Sequence, residues 1–325
     1  MSVAAPNLES APLPRWLHGW AVLTVCATVA LLALGAVVTT FHVGMADPIW
    51  PTYPWHLLLI DRHEPSPGFI IEHSHRLAGY IVGMFTIVLA AGLWRAQPNR
   101  KLGWLGVAAL LGVIIQGLLG GFRVRLNALV GTDLAWVHGS FAQLVFVLLC
   151  SLALLTSAGW ISASENLAGD PGMNRLRRLS LGVSIAIYLQ LILGGLVRHN
   201  VAAALGQRGH LLVAFGVVVL VTWLVKLTYE SPTHDRPLAT AATLLAAFVV
   251  VQLFLGVEAW VAKFSSGLPD MQPVTLRQAI VRTAHHLVGS AIFATSAVVT
   301  LRAYRLTVPI PLRATAPIRQ LGGAV

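Results

Sequence analysis

Apolar residues in this chain fall into eight long runs separated by shorter, more polar breaks, and each run is near the roughly 20 residues a helix needs to cross the hydrocarbon layer. The pattern predicts membrane helices at about 20–41, 70–94, 102–122, 134–157, 179–197, 209–229, 239–261 and 281–303. Two breaks differ from the rest. Residues 42–68 are long and rich in Pro and Trp (Trp50, Pro51, Pro54, Trp55), as suits a loop at the membrane interface. Residues 159–178 are largely polar, hold Gly169-Asp170-Pro171-Gly172, and read as a linker. A short motif then recurs. Gln116-Gly-Leu-Leu-Gly120, Gln190-Leu-Ile-Leu-Gly194 and Gln252-Leu-Phe-Leu-Gly256 each lie late in an odd-numbered run, and each is followed by a run with His138, His210 or His285 near its start. His75-Arg-Leu-Ala-Gly79 and His285-His-Leu-Val-Gly289 also match. These repeats predict an all-α integral membrane protein built as two pseudo-symmetric four-helix bundles. Its parts are an N-terminal tail (1–19), a first bundle (20–158), the linker (159–178), a second bundle (179–303) and a C-terminal tail (304–325).

Composition agrees with the pattern. Of 325 residues, 56% are apolar and 10% charged, and the mean hydropathy is +0.75. A soluble domain carries roughly 25% charge, so this chain has too little polar surface for water. The net charge of +10 does not mark a nucleic-acid partner, because the basic residues are scattered through short loops. Their distribution sets orientation instead. With the N-terminus inside, thirteen Lys and Arg fall on the inner side and nine on the outer, which predicts cytoplasmic termini. The first 14 residues lack a basic region ahead of an apolar core, so the first helix is expected to act as its own signal. Cys26 and Cys150 lie inside apolar runs and are expected to be buried, inert thiols.

The candidate chemistry sits at the helix ends. Ile71-Glu72-His73-Ser74-His75-Arg76 puts a carboxylate, two histidines and an arginine at the mouth of the second run, where ionisable groups are costly and point to function. Under the orientation above, His75, His138, His210 and His285 share one depth at the outer face, on alternate helices. Two histidines at one depth on facing helices of a bundle are what an axially ligated haem requires. Four such residues predict two haem sites, one per half. Gly79, Gly83, Gly139, Gly216 and Gly289 offer room for a macrocycle, although glycines in membrane helices also serve plain packing. Arg76, Arg123, Arg125, Arg198 and Arg282 could meet propionates, or could simply anchor helix ends. His73 and His286 compete with His75 and His285, which the repeat alignment favours. The remaining histidines (His18, His42, His56, His63, His199, His234) are expected to be solvated. Glu72 alone pairs a carboxylate with a candidate ligand, since Ala135, Gln207 and Arg282 stand at the matching positions. It could move protons, or form a salt bridge with Arg76.

Glu72-His-Ser-His75-Arg-Leu-Ala-Gly79, Gly120-Gly121, Gly194-Gly195-Leu-Val-Arg198 and Asp47-Pro-Ile-Trp50-Pro51 together resemble the haem A synthase family. The resemblance covers about residues 19–302. It implies a cell-membrane enzyme that oxidises the C8 methyl of haem O to a formyl group by successive hydroxylations, for terminal oxidase biogenesis. It implies that His75 and His138 flank the substrate haem, that Glu72 assists catalysis, and that His210 and His285 ligate a haem b. Arg76 and Arg198 then become cofactor-binding candidates. Haem O and haem A, membrane lipid, haem O synthase, the terminal oxidase and its assembly factors become candidate partners, with a homo-oligomer as a candidate assembly and no nucleic acid. Two features depart from the family. Residues 42–68 hold no cysteine pair, so a mechanism using one is closed to this chain, and Asp47-Pro-Ile-Trp50 replaces a shorter Asp-Trp-Pro. Competing readings are a di-haem b-type cytochrome that only transfers electrons and a transporter on repeated bundles. The first would show histidine pairs at both faces, and the second broken helices.

Overall fold

A computed structural model describes residues 13–47, 66–96, 100–161, 170–231, 235–264 and 273–307. Eight long helices cover most of them: α1 (Arg15–Thr40), α2 (Pro67–Ala96), α3 (Arg100–Arg125), α4 (Asp133–Leu155), α5 (Pro171–His199), α6 (Ala203–Glu230), α7 (Arg236–Phe264) and α8 (Leu276–Thr307). Single helical turns at Asn127–Val130 and Ala158–Ile161 flank α4. All eight are long and apolar enough to span a membrane. They expose apolar side chains such as Met84, Ile185, Phe215, Val219 and Phe254 around the outside. In water such a surface would drive aggregation; among lipid tails it costs nothing. The chain is a multi-pass membrane protein.

The helices outrun the hydropathy pattern, and their ends show why. α5 starts eight residues earlier than its apolar run, with Pro171 in its first turn and the Asp170 carboxylate accepting from the Met173 N–H at 2.8 Å. Arg175, Arg177 and Arg178 mask that turn from hydropathy, yet Arg177 packs over the Tyr304 ring, 5.2 Å from its centre. α8 likewise continues past 303, where Arg302 is buried against Asp235 at 3.5 Å and Arg305 lies over Trp160. Within the spans, Thr24, Thr28 and Thr86 donate back to the carbonyl four residues earlier, so these hydroxyls need no partner from lipid.

The order of packing is the same in both halves. α1 packs on α2, α2 on α3, α3 on α4 and α4 back on α1; α5, α6, α7 and α8 close a second ring in the same way. This is compatible with two four-helix bundles. The halves meet through α4 on α5, α4 on α8 and α1 on α8. Trp136 Nε1 donates to the Ile192 carbonyl at 3.1 Å across this seam, and Tyr188 of α5 stacks on Phe293 of α8.

Each half has its own apolar core, and both cores lie toward one end. In the first, Leu17, Ala21, Leu89, Leu93, Leu102, Leu149 and Leu152 gather at the start of α1 and α3 and the end of α2 and α4. In the second, Met173, Leu176, Leu224, Leu238, Leu245, Val299 and Leu306 occupy the matching positions. The four candidate histidines lie at the opposite end of these helices. Each bundle is therefore zipped at one end and carries its polar groups at the other. Cys26 departs from expectation. It is exposed rather than buried, on the outward face of α1, and both cysteines are free thiols.

Candidate functional site

One register relation places all four histidines. A glycine late in each odd-numbered helix faces the histidine early in the next even-numbered one. A Cβ added at Gly35 would lie 2.9 Å from His75 Cε1; at Gly120, 3.3 Å from His138 Cε1; at Gly194, 3.0 Å from His210 Cε1; and at Gly256, 3.2 Å from His285 Cε1. The missing side chain lets each ring settle against the neighbouring helix. One turn earlier stand Leu31, Gln116, Gln190 and Gln252, whose backbone carbonyls each lie beside the matching ring. The glutamine side chains add a second hold. Gln116 Nε2 is 3.1 Å from His138 Nδ1 and donates to the His138 carbonyl at 2.9 Å. Gln190 Nε2 donates to the His210 carbonyl at 3.0 Å, and Gln252 Nε2 is 3.4 Å from His285 Nε2. The sequence repeat thus has a physical meaning: glycine for room, glutamine for hold.

The histidine side of the pairing carries its own signal, legible in the sequence only once the facing is known. Four residues after each histidine, on the same face, stands a small residue: Gly79, Ala142, Ala214 and Gly289. Beside Gly83 and Gly139 a Cβ would meet nothing within 4 Å, and beside Gly79 only Leu31 at 4.0 Å. Gly289 differs, since a Cβ there would touch Gln252 and Leu191, each at 3.2 Å. Gly216 also meets nothing within 4 Å, but it is exposed.

His210 and His285 face one another, with ring centres 6.4 Å apart and planes at 75°. A metal–imidazole bond is about 2 Å, so two imidazoles on opposite sides of one metal ion have ring centres roughly 6 Å apart. The pair therefore fits axial ligation of a single iron. His285 rather than His286 makes this pair. His75 and His138 are close enough for their charges to interact. Among the described histidines, His75 Nδ1 and His285 Nδ1 are buried without a hydrogen-bond partner. Orphaned ring atoms at the open end of each bundle, beside small residues, are what a haem-binding cleft would leave in the protein. No group of three or more His, Cys, Asp or Glu side chains set to hold a metal occurs among the described residues.

Glu72 belongs to a second cluster, on α2 only. After α1 the chain turns at His42, in the left-handed region (φ 56°), and returns Asp47 to α2. Asp47 has no exposed surface, and Glu72 and His73 are each 4% exposed. Glu72 Oε2 accepts from the Asp47 backbone N–H at 2.7 Å, and Oε1 accepts from Arg76 Nη2 at 2.7 Å. Arg76 also donates to the Asp47 carbonyl at 2.6 Å and lies 3.3 Å from Asp47 Oδ2. His73 Nδ1 stands 3.2 Å from the same carboxylate, its ring stacked on Phe69. His73 is thus engaged with a carboxylate, while His75, two residues on, faces Gly35. The salt bridge between Glu72 and Arg76 exists. A carboxylate offers about four lone-pair positions, so Glu72 keeps capacity for another proton donor while both oxygens are held.

Other sequence-flagged residues fall elsewhere. Arg198 donates to the Ala36 carbonyl at 2.7 Å and to Thr40 Oγ1 at 3.2 Å, so it ties the end of α5 to the end of α1. The Arg123 guanidinium lies against the Gly44 backbone. His18 and His199 are half-buried on helices rather than solvated; the His18 ring reaches the Ala153 carbonyl at the end of α4. His42 is exposed, and His56, His63 and His234 lie outside the described residues, as do Trp50, Pro51, Pro54 and Trp55.

Comparison with known proteins gives a consistent result. A family model described as cytochrome oxidase assembly protein matches residues 53–208, a stretch that contains Glu72, His75 and His138. The protein named heme A synthase from Shouchella clausii is 29% identical over 184 residues, 55% of this chain and 58% of that protein, so the match spans less than two thirds of that relative's length. The one from Listeria monocytogenes (strain HCC23) is 26% identical over 268 residues, 75% of this chain and 85% of its own length. That from Lysinibacillus sphaericus is 29% identical over 190 residues, 57% and 59% of the two chains.

Proposed function

We propose that this chain, which is similar to proteins named heme A synthase over up to 75% of its length, is an oxidoreductase of haem A biosynthesis that converts the C8 methyl of haem O to a formyl group. His75 and His138 would hold the substrate haem, and His210 and His285 would hold a haem b. The single observation carrying this reading is the fourfold glycine–histidine register, with a buried carboxylate cluster beside only one of the four histidines. That asymmetry divides the labour: the first half reacts and the second holds a permanent redox centre.

Haem b held by His210 and His285 would supply one-electron transfer. The chain's own groups account for the rest. Conversion of –CH3 to –CHO with one water taken up releases four protons and four electrons; the electrons must pass to an external acceptor, and the protons need acceptors near the reacting edge. Glu72, one turn of α2 from His75 and kept oriented by Arg76 and the Asp47 N–H, is that acceptor. Asp47 and His73 complete a buried relay behind it. Arg76 and Arg198, at the same end of the molecule, are the propionate partners, and the excess of Lys and Arg at the other end supports an outer-face location for this one in the cell membrane, with both termini in the cytoplasm. Haem O synthase, the terminal oxidase and its assembly factors are the expected neighbours.

Glu72→Gln tests this assignment, because it keeps the shape and removes the charge. Losing a general acid or base typically costs on the order of 10² to 10⁴ in rate. With haem O supplied in the same membrane, haem A per mole of inserted Glu72→Gln protein should fall at least roughly tenfold. Haem O or a hydroxylated intermediate should accumulate, and haem b should remain. Normal conversion by well-inserted protein would remove Glu72 from the mechanism.

A further inference from the structure

Three of the four histidines have a glutamine one turn before their facing glycine; the fourth does not. Position 31 is the structural counterpart of 116, 190 and 252, because its carbonyl, like theirs, lies beside the histidine ring of the next helix. At that position α1 carries Leu31, which has no polar side-chain atom. The amide oxygens of Gln116, Gln190 and Gln252 are all buried without a partner, each on a side chain whose amide nitrogen already touches its histidine residue. Gln116 and Gln190 hold the backbone carbonyl of their histidines, and Gln116 and Gln252 also reach a ring nitrogen. Partners that fix a ligating histidine's orientation strengthen the ligand. Leu31 has no side-chain partner to offer, so His75 keeps only the backbone carbonyl that the other three rings also have.

We infer that Gln116, Gln190 and Gln252 are positioning residues for His138, His210 and His285, and that His75, opposite Leu31, is the one ligand built to let go. The substrate haem is then held firmly from the His138 side and exchanged at the His75 side, beside Glu72. A synthase must take in one haem and release another while keeping its haem b, and a single histidine without a side-chain clamp in the reacting half meets that need. This rests on the haem assignment proposed above, but not on the chemistry proposed for it.

The test is haem loss, not turnover. The protein is reconstituted in lipid nanodiscs, loaded with haem B in both halves, and mixed with excess haem-free globin as acceptor. Loss should be biphasic. Leu31→Gln should slow the fast phase at least roughly tenfold and leave the slow phase unchanged. Gln190→Leu or Gln252→Leu should speed the slow phase about 10–100-fold, the usual effect of removing a partner of a metal ligand. Gln116→Leu should speed the fast phase further, which keeps the test open if Leu31→Gln inserts poorly. A single phase in the wild type, or a fast phase that neither Leu31→Gln nor Gln116→Leu moves, would overturn the inference. A chain that binds haem in both halves but makes no haem A would fail the function proposed above and still report both phases.

Discussion

At the residue scale, the glycine–histidine contacts are the sharpest constraint. A methyl group at Gly194 would sit 3.0 Å from His210 Cε1, closer than most real contacts, with the ring itself as the obstacle. Gly194→Ala should displace His210 and weaken or abolish the low-spin haem b spectrum. Gly182→Ala, with nothing within 4 Å of the new methyl, should leave that spectrum unchanged. The optical spectrum of the two purified variants decides it. The sequence showed Gly120, Gly194 and Gly256 as part of a repeat but not what they touch, and did not single out Gly35, since a facing partner 16 to 40 residues away leaves no trace in local pattern. The same holds for Asp47. Its place in the chain was visible, but its burial against Glu72, His73 and Arg76 depends on the turn at His42, which only the folded chain reveals. The Glu72–Arg76 contact, by contrast, follows from their i, i+4 spacing.

At the element scale, all eight spans were legible because apolar length is a strong signal in a membrane protein. Their ends were not. α5 and α8 run on through arginines that hydropathy counts as loop, because stacking on Tyr304 and Trp160 and pairing with Asp235 keep those cations on a helix. The choice between neighbouring histidines was also made by elements. α8 turns His285, not His286, toward His210. His285→Ala should therefore eliminate the low-spin haem b signal, while His286→Ala should retain it. The reverse result would move the ligand by one residue and break the register shared with the other three helices.

At the scale of the whole molecule, each half is sealed by an apolar core at one end and carries its histidines at the other. Both sets of histidines consequently lie at one end, for which the charge distribution proposes the outer face. With Cys26 and Cys150 replaced by Ser, single cysteines at Asn127 and Asn200 should react with an impermeant thiol reagent from outside. Cysteines at Ser164 and Thr233 should react only from the cytoplasm. Labelling of Ser164 from outside would invert the molecule and carry the histidine end to the inner face.

What the two bundles hold is read directly by the haem content of the purified protein. Haem extracted from protein made in membranes that supply haem O, separated by chromatography and counted per chain, should show one haem B together with haem O, haem A or a hydroxylated form between them. Haem B alone at two per chain would contradict the account and make this protein an electron carrier.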